Sequence, residues 1–373
     1  MSARKSNRWP VPAGLIVCCA CVACGGDESS APGASLSLIP IERHASLDTL
    51  DFRAVGLAWV DDATVAVIDR DDQQVVLLGL PDGSQRRGAG RGGGPGELES
   101  AFMLLGREDG STLVGDMRQH RVSHFDAELA YVRSARVPGM PIGLLSWQGD
   151  RVVAIWMDFK MTDDAMGMEP MVGEVDLAAG EAREFFSLFD PASGLSRPET
   201  DNPMAPPFIA VAMNEAGLIL AGQSMEYRIV ALDTAGTLHT SFGRGELGAD
   251  YLSDEEQAAE RARIGEAAGR RGPPPPGVER MVDEALEAPQ PYFGPGAFSL
   301  DRAGRLWVVT DRSRADSTEV DVFAANGDFL TTVALSDRVE MLAFRGSRLA
   351  ALVARTAPEV EGVPGVDLYE LRE

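Results

Sequence analysis

Short apolar runs alternate with polar turns along most of the chain beyond residue 35. The stretch 112–126 shows the pattern clearly. Leu113 and Val114 close one apolar run, the turn from Asp116 to His120 is polar, and Val122 opens the next run. Runs of this length, bounded by turn residues, are typical of β-strands. The pattern therefore predicts an all-β body made of short antiparallel strands.

Units of such strands recur six times and begin at Val55, Ala101, Ile142, Phe208, Ala297 and Val339. A four-stranded propeller blade takes about 40–45 residues, and six blades would have about 46 each. Seven blades of about 39 residues would also fit this length, but only six units can be written out. The sixth unit has three strands, so we expect the isolated strand at 35–42 to complete it. The sequence thus predicts one six-bladed β-propeller of four-stranded antiparallel blades over 35–373.

Residues 250–293 interrupt the pattern after the fourth unit. A capping box at 253–256 starts a helix to about Gly269, and the prolines at 273–276 end it. We expect a helical hairpin that lids one face of the propeller. A second helix carries an apolar stripe that is either buried on its own domain or offered to a partner. The stripe consists of Val278, Met281, Val282 and Leu286.

Two motifs support the propeller. Val114-Gly115-Asp116, followed by His120-Arg121-Val122, resembles an NHL repeat, with Gln119 where Asn is usual. The glycine-rich stretch 90–98 resembles a Gly-Pro-Gly-Glu loop of bacterial six-bladed propeller lipoproteins, with Leu98 in the aromatic position. The resemblance implies a six-bladed, TolB-like propeller.

The N-terminus has the features of an export signal. Arg4, Lys5 and Arg8 precede an apolar stretch, 11–23, which is too short to span a membrane. Val22-Ala23-Cys24 and the Gly, Ser and acidic residues after it resemble a bacterial lipobox, although Cys21 replaces the usual Leu. The resemblance implies a signal peptide at 1–23, lipidation of Cys24 and a flexible tether at 24–34. The alternative is an ordinary secretory signal.

Charge and cysteine content exclude one class of partner and two kinds of cysteine chemistry. The formal net charge is −23, which argues against nucleic acid as a partner. The four cysteines are Cys18, Cys19, Cys21 and Cys24, so the propeller body contains neither a disulfide nor a cysteine metal site. The lipobox resemblance implies the membrane as a partner through a lipid anchor, and no cofactor is predicted.

Several polar residues are candidates for the channel mouth. Asp69, Asp116 and Asp311 hold equivalent positions at strand ends, where each could cap the following turn or bind a cation. We favour turn capping. His120 and Arg121 lie in the turn of the second unit, and we expect His120 to pack between blades rather than to act as a base.

Two further segments could bind a ligand. Residues 90–96 could cradle an anion on backbone N–H groups, but a flexible crossover between blades is the preferred interpretation. Five methionines lie close together and suit either Cu(I) or, preferably, an adaptable loop over the propeller face. They are Met157, Met161, Met166, Met168 and Met171.

The chain carries no Gly-x-Ser-x-Gly elbow and no His-Glu-x-x-His helix. The sequence therefore favours a non-catalytic binding or scaffolding module for a protein or small-molecule ligand. Its expected place is the bacterial cell envelope, on the outer membrane facing the periplasm or the surface. The alternative is an envelope hydrolase or lactonase-like enzyme with a divalent cation in the channel. Three or four acidic side chains converging on the axis would favour that enzyme.

Overall fold

The computed structural model describes residues 37–43, 52–107, 109–161, 166–197, 209–269, 277–312, 317–356 and 362–372. The predicted signal peptide, Cys24 and the tether lie outside these residues. Six four-stranded antiparallel sheets form a ring, which confirms the predicted six-bladed β-propeller. No described helix is both long and apolar enough to cross a membrane.

The first strand of the chain, β1 (Ser37–Arg43), precedes the blades. Blade 1 contains β2 (Ala54–Asp61), β3 (Thr64–Asp69), β4 (Gln74–Gly79) and β5 (Gln85–Gly88). The crossover that follows holds a short parallel pair, β6 (Gly90–Arg91) and β7 (Glu97–Leu98). Blade 2 contains β8 (Ala101–Gly106), β9 (Thr112–Asp116), β10 (Arg121–Phe125) and β11 (Tyr131–Arg136). Blade 3 contains β12 (Met140–Gln148), β13 (Arg151–Met161), β14 (Met166–Asp176) and β15 (Glu181–Ser187).

A 3-10 turn, Pro191–Ser193, leads from blade 3 towards blade 4. Blade 4 contains β16 (Ile209–Met213), β17 (Ile219–Gln223), β18 (Arg228–Leu232) and β19 (Leu238–Gly243). Two helices follow, α1 (Asp254–Gly269) and α2 (Val278–Glu287). Blade 5 contains β20 (Phe298–Leu300), β21 (Leu306–Val309), β22 (Ser317–Phe323) and β23 (Phe329–Ser336). Blade 6 contains β24 (Arg338–Arg345), β25 (Arg348–Ala354) and β26 (Pro364–Arg372).

The chain ends close the ring as predicted. β1 pairs with β26 in antiparallel register, from Ser37 opposite Arg372 to Arg43 opposite Asp367. Blade 6 therefore gains its fourth strand from the beginning of the chain. This pairing covers the edge that β26 would otherwise expose to other chains.

The first strands of the six blades line the axis of the ring, because each contacts the first strands of both neighbouring blades. They run in the same direction along the channel. We call the channel end at which they begin the upper mouth and the end at which they finish the lower mouth. Since strands alternate in direction, the turn after each second strand and the crossover between blades also lie on the upper face.

The core lies between neighbouring blades, and single strands supply two interfaces at once. Along β3, Val67 packs with Leu352 of blade 6, whereas the next residue, Ile68, packs with Val114 of blade 2. All four side chains are at most 1% exposed. Burial on both faces explains why the second and third strands are nearly continuous apolar runs in the sequence.

Two segments depart from the regular blade. The helical hairpin occurs after blade 4, as predicted, and Ser253 and Glu256 form the expected capping box, since each main-chain N–H donates to the other's side chain. The methionine-rich segment is not the predicted loop. It forms the end of a long β-hairpin, because apolar residues alternate along both of its strands and thus fit a period of two.

Candidate functional site

Four of the channel-lining strands carry a β-bulge near the upper mouth. In each, one residue is passed over in the pairing register; these residues are Gly56, Phe102, Ile142 and Glu340. Bulges re-aim side chains and are common beside functional sites. Of the four residues only Glu340 is charged, so the bulge in blade 6 is the one that places a carboxyl group on the channel wall.

Glu340 belongs to a cluster of charged residues drawn from three blades. Arg338 begins β24 in the same blade, Asp311 follows the second strand of blade 5, and Arg70 follows the second strand of blade 1. Burial raises the pKa of Glu340, and the positive charges of Arg338 and Arg70 oppose that rise. Burial also raises the pKa of Asp311, again against the charge of Arg338. We call these four residues the mouth site.

The two carboxyl groups of the mouth site are accessible from the solvent. The side chains of Asp311 and Glu340 both reach solvent. The desolvation that raises the pKa of each carboxyl group therefore comes from the protein walls around it. Accessible groups with raised pKa values in a cleft are characteristic of ligand sites.

The helical insertion contributes to the position of Asp311. The Asp311 N–H donates to the carbonyl oxygen of Tyr292 over 2.9 Å. The Tyr292 hydroxyl in turn donates to the carbonyl oxygen of Gly248 over 2.8 Å. The two ends of the insertion are also paired, since the Gln290 N–H donates to the Asp250 carbonyl over 2.8 Å. The base of the insertion is thus tied to the rim of the mouth site.

The positive charge of Arg338 limits the kinds of ligand that the mouth site can bind. Two carboxyl groups alone would attract a metal cation, but a guanidinium whose charge acts on both of them disfavours a bare cation. A ligand with one positive and one negative group can match both kinds of charge. The arrangement is therefore suited to binding a molecule with paired opposite charges.

The other two predicted aspartates cap turns. Asp69 Oδ1 accepts the N–H groups of Asp71 and Asp72, each at 3.0 Å. Asp116 Oδ1 accepts those of Arg118 and Gln119 at the same distance. Asp69 is 1% exposed and Asp116 is fully buried. Asp69 Oδ2 also accepts from Arg87 Nη1 over 3.0 Å, so both aspartates have the structural role that the sequence favours for these two positions.

Asp311 alone of the three predicted aspartates is a member of the mouth site. It lies beyond the end of β21, and its side chain is exposed, whereas those of Asp69 and Asp116 are buried.

The glycine-rich segment forms the crossover between blades 1 and 2, as predicted. The Gly94 N–H donates to Glu97 Oε2 over 2.7 Å, so the carboxylate of the loop itself occupies the anion position. Gly96 has φ +77°, and a Cβ there would lie 2.7 Å from the Cβ of Tyr131. These contacts favour glycine at position 96.

The turn of blade 2 clamps this crossover. Arg121 Nη2 donates to the Gly94 carbonyl over 2.9 Å, and it also donates to the Glu97 carbonyl. Gln119 Nε2 donates to the Gly92 carbonyl over 2.5 Å. The His120 carbonyl accepts the N–H of Val137 over 2.8 Å. The two motifs singled out in the sequence therefore bind each other, and Arg121 is committed to this contact.

The methionine-rich hairpin rises above the upper face. Met157 pairs with Pro170, Phe159 with Met168, and Met161 with Met166. Paired residues of an antiparallel ladder share a face, so the described apolar side chains of Met157, Phe159, Met168 and Pro170 form a single stripe. Four residues of β13 extend past Met157, which amounts to about 13 Å.

The predicted partner-face residues differ in accessibility. Met168 is 42% exposed, as is its unpredicted pairing partner Phe159 at 43%, whereas Met171 lies on the other face and is 6% exposed. The side chains of Met161 and Met166, and that of Val278, lie outside the described ones. On α2, Val282 and Leu286 are buried, while Met281 is 36% exposed. The helix stripe is thus mostly covered, and the exposed apolar surface is on the hairpin.

Three residues of the mouth site are absent from the sequence prediction: Arg70, Arg338 and Glu340. A signal was present, since Arg338 and Glu340 are charged residues within a segment that otherwise reads as an apolar strand. Their convergence with Asp311 depends on the ring bringing blades 1, 5 and 6 together. No local pattern contains that information.

Within the described part of the chain, no group of three or more His, Cys, Asp or Glu side chains could hold a metal ion.

The sequence matches no protein-family model and no curated protein. Solved structures do match over most of the chain. A member of the DUF4221 family from Bacteroides vulgatus has a TM-score of 0.56 at 9% identity, over 92% of this chain and 100% of that one.

Two enzymes are similar in structure. A luciferin-regenerating enzyme has a TM-score of 0.52 at 11% identity, covering 91% of this chain and 96% of that one. A gluconolactonase from Xanthomonas campestris has a TM-score of 0.51 at 12% identity, covering 92% and 99%. Identities this low show a shared propeller fold and nothing about activity.

Proposed function

We propose that this protein is a lipid-anchored binding module of the bacterial cell envelope, which holds a ligand with paired opposite charges in its upper mouth. The observation that carries the proposal is the bulge in β24, which places Glu340 next to Arg338 at the upper mouth, where the charge of Arg338 also acts on Asp311. The ligand's cationic group would contact the carboxylates, and its anionic group would contact Arg338 and Arg70. Charge-assisted hydrogen bonds of this kind are short and strong.

The direction of β1 shows where a tether from Cys24 would join the propeller. β1 is the outermost strand of blade 6 and runs from the lower face to the upper face, antiparallel to β26. The chain therefore enters the propeller at the lower face. Cys24 precedes Ser37 by 13 residues, which span at most about 45 Å and typically about 20 Å. A lipid anchor at Cys24 would thus be joined to blade 6 by a short segment.

An enzymatic role with a divalent cation remains the alternative. The lactonase among the structural neighbours shares only the fold. The mouth site brings two carboxyl groups together with two guanidinium groups, whereas the enzyme would need three or four converging acids. The mixed charge favours binding over metal-assisted hydrolysis.

A series of ω-amino acids tests the binding proposal. Glycine, 4-aminobutyrate and 6-aminohexanoate carry the same two charges at increasing separation, and butyrate and butylammonium carry one each. We expect one member of the series to bind at least tenfold more tightly than either singly charged analogue in isothermal titration calorimetry. A Glu284→Gln variant, altered at an exposed ion pair of α2, should bind like the wild type. Equal binding of the singly charged analogues, or binding of none of the series, would refute the proposal.

Membrane fractionation tests the anchor separately. Globomycin, which blocks the lipoprotein signal peptidase, should cause the unprocessed precursor to accumulate. Cys24→Ser should release the protein from the membrane fraction. Unchanged fractionation of Cys24→Ser would refute the anchor and leave the binding proposal intact.

A further inference from the structure

The lower mouth holds a second cavity, at the opposite end of the channel from Glu340. Its volume is about 640 Å³, within the range of small-molecule sites. Its walls come from the ends of the first strands of blades 6, 1, 2 and 3. Apolar side chains such as Leu57 and Leu104 line part of it, and the edge of Trp147 closes one side.

Two arginines stand in the cavity wall, one on each side of blade 1. Arg107 follows β8 of blade 2, and its guanidinium lies over the ring of Trp147, 4.5 Å from the ring centre. Arg345 ends β24 of blade 6. A guanidinium stacked on an indole keeps its N–H groups in one plane, which favours bidentate contact with a carboxylate or a similar anion.

The acidic partners of these arginines are solvent-exposed, although Asp109 also belongs to the cavity wall. Arg345 Nε donates to Asp62 Oδ1 over 2.6 Å, but the Asp62 side chain is 89% exposed, against 23% for Arg345. Arg107 lies 3.5 Å from Asp109, whose side chain is 54% exposed. Exposed ion pairs of this kind contribute little free energy, so an anion inside the cavity can compete for both guanidinium groups.

His124 packs against the same tryptophan and is influenced by the charges nearby. Its ring meets Trp147 edge to face, with centroids 4.7 Å apart. Burial lowers the pKa of His124, and the positive charges of Arg133 and Arg107 lower it further, against the acids Asp109 and Asp150. The charged residues that line the cavity are two arginines and one aspartate, Arg107, Arg345 and Asp109, although the whole chain has a net charge of −23.

From this cavity we infer a second binding site, for an organic anion with a flat apolar body. The body would lie against Leu57, Leu104 and the Trp147 side of the cavity. Its carboxylate, or an equivalent oxyanion, would accept hydrogen bonds from Arg107 and Arg345. The site lies at the lower mouth and does not depend on the ligand proposed for the upper mouth.

Paired probes test the inference by calorimetry on the full chain. Indole-3-acetate carries the required body and charge, and indole-3-acetamide has nearly the same shape without the charge. We expect indole-3-acetate to bind at one site and the amide to bind at least tenfold more weakly. Arg107→Gln and Arg345→Gln should each weaken indole-3-acetate binding at least tenfold. Arg280→Gln, at an 83% exposed position of α2, is the matched loss of charge and should change nothing.

Equal affinity for the acid and the amide, or binding of neither, would overturn the site. Wild-type affinity in both Arg107→Gln and Arg345→Gln would do the same, as would an equal loss in Arg280→Gln. Thermal unfolding of each variant provides the check on folding, and the exposed partners of both arginines predict midpoints close to the wild type.

Discussion

Replacing Asp321 by Asn should destabilise the propeller strongly, because this carboxylate joins two blades from a fully buried position. Asp321 lies on β22 of blade 5 and is 0% exposed. Its oxygens accept hydrogen bonds from the hydroxyls of Tyr227 and Thr332 and from Arg312 Nη2 at 2.7 Å. Arg244 Nη1 of blade 4 lies 3.4 Å away. Burial and the Asp321 carboxylate both raise the pKa of Tyr227, which keeps the hydroxyl as a donor.

The size of the destabilisation follows from the hydrogen-bond donors and charges that an asparagine would leave without a partner. Its amide presents one acceptor where the carboxylate presents two, and its NH₂ group would face donors. Arg312 and Arg244, whose side chains are 18% and 15% exposed, would lose their buried counter-charge. Removal of one partner from a buried charge pair costs about 3–5 kcal/mol. That loss is large beside a total stability of about 5–15 kcal/mol.

Urea unfolding followed by tryptophan fluorescence measures the loss, since Trp307 is buried in the same blade. Asp283→Asn is the control, because Asp283 forms an exposed pair with Arg261 at 2.9 Å and should lose at most about 1 kcal/mol. The midpoint should fall for Asp321→Asn with little change in slope. Equal effects of the two substitutions would refute the view that Asp321 bridges blades 4 and 5.

Three further predictions follow from the structure. Burial raises the pKa of Glu340, so its ionised form destabilises the fold above that pKa; Glu340→Gln should raise the urea midpoint at pH 7 and leave it unchanged at pH 3.5, where the carboxyl is protonated in both states. Gly96→Ala should destabilise by more than about 1 kcal/mol and by more than Gly180→Ala, because both glycines have positive φ but only Gly96 lies against a side chain. An equal loss in thermal unfolding of these two variants would contradict the packing argument. Deletion of residues 1–43 should expose the edge of β26 and cause self-association in size-exclusion chromatography, and a stable monomer would contradict the closure role of β1.

Much of the fold could be predicted because its signals are local. The apolar run at 64–69 forms β3 with those bounds, and it ends in an aspartate that caps the next turn. β13 and β14 extend beyond the apolar runs at 151–156 and 172–177. Their outer halves contain methionine, glycine and proline, which have weak strand propensity, and pairing between the two strands stabilises them instead.

The mouth site could be predicted only in part, because its residues are distant in sequence. Whether Glu340 lines the channel depends on a bulge in β24, and a bulge is a property of the pairing register rather than of composition. The contact of Arg70 with this region depends on closure of the ring between blades 6 and 1. Asp311 was identifiable because it follows a strand, but its neighbours were not.

The most direct test of the mouth site is a double-mutant cycle on ligand binding. The tightest-binding ω-amino acid would be titrated into the wild type, Arg338→Gln, Glu340→Gln and the double variant. We predict that each single substitution weakens binding at least tenfold, and that Arg338→Gln leaves the affinity for butylammonium unreduced because only a repulsive cation is removed. Wild-type affinity for the amino acid in either single variant would contradict a site built on paired opposite charges.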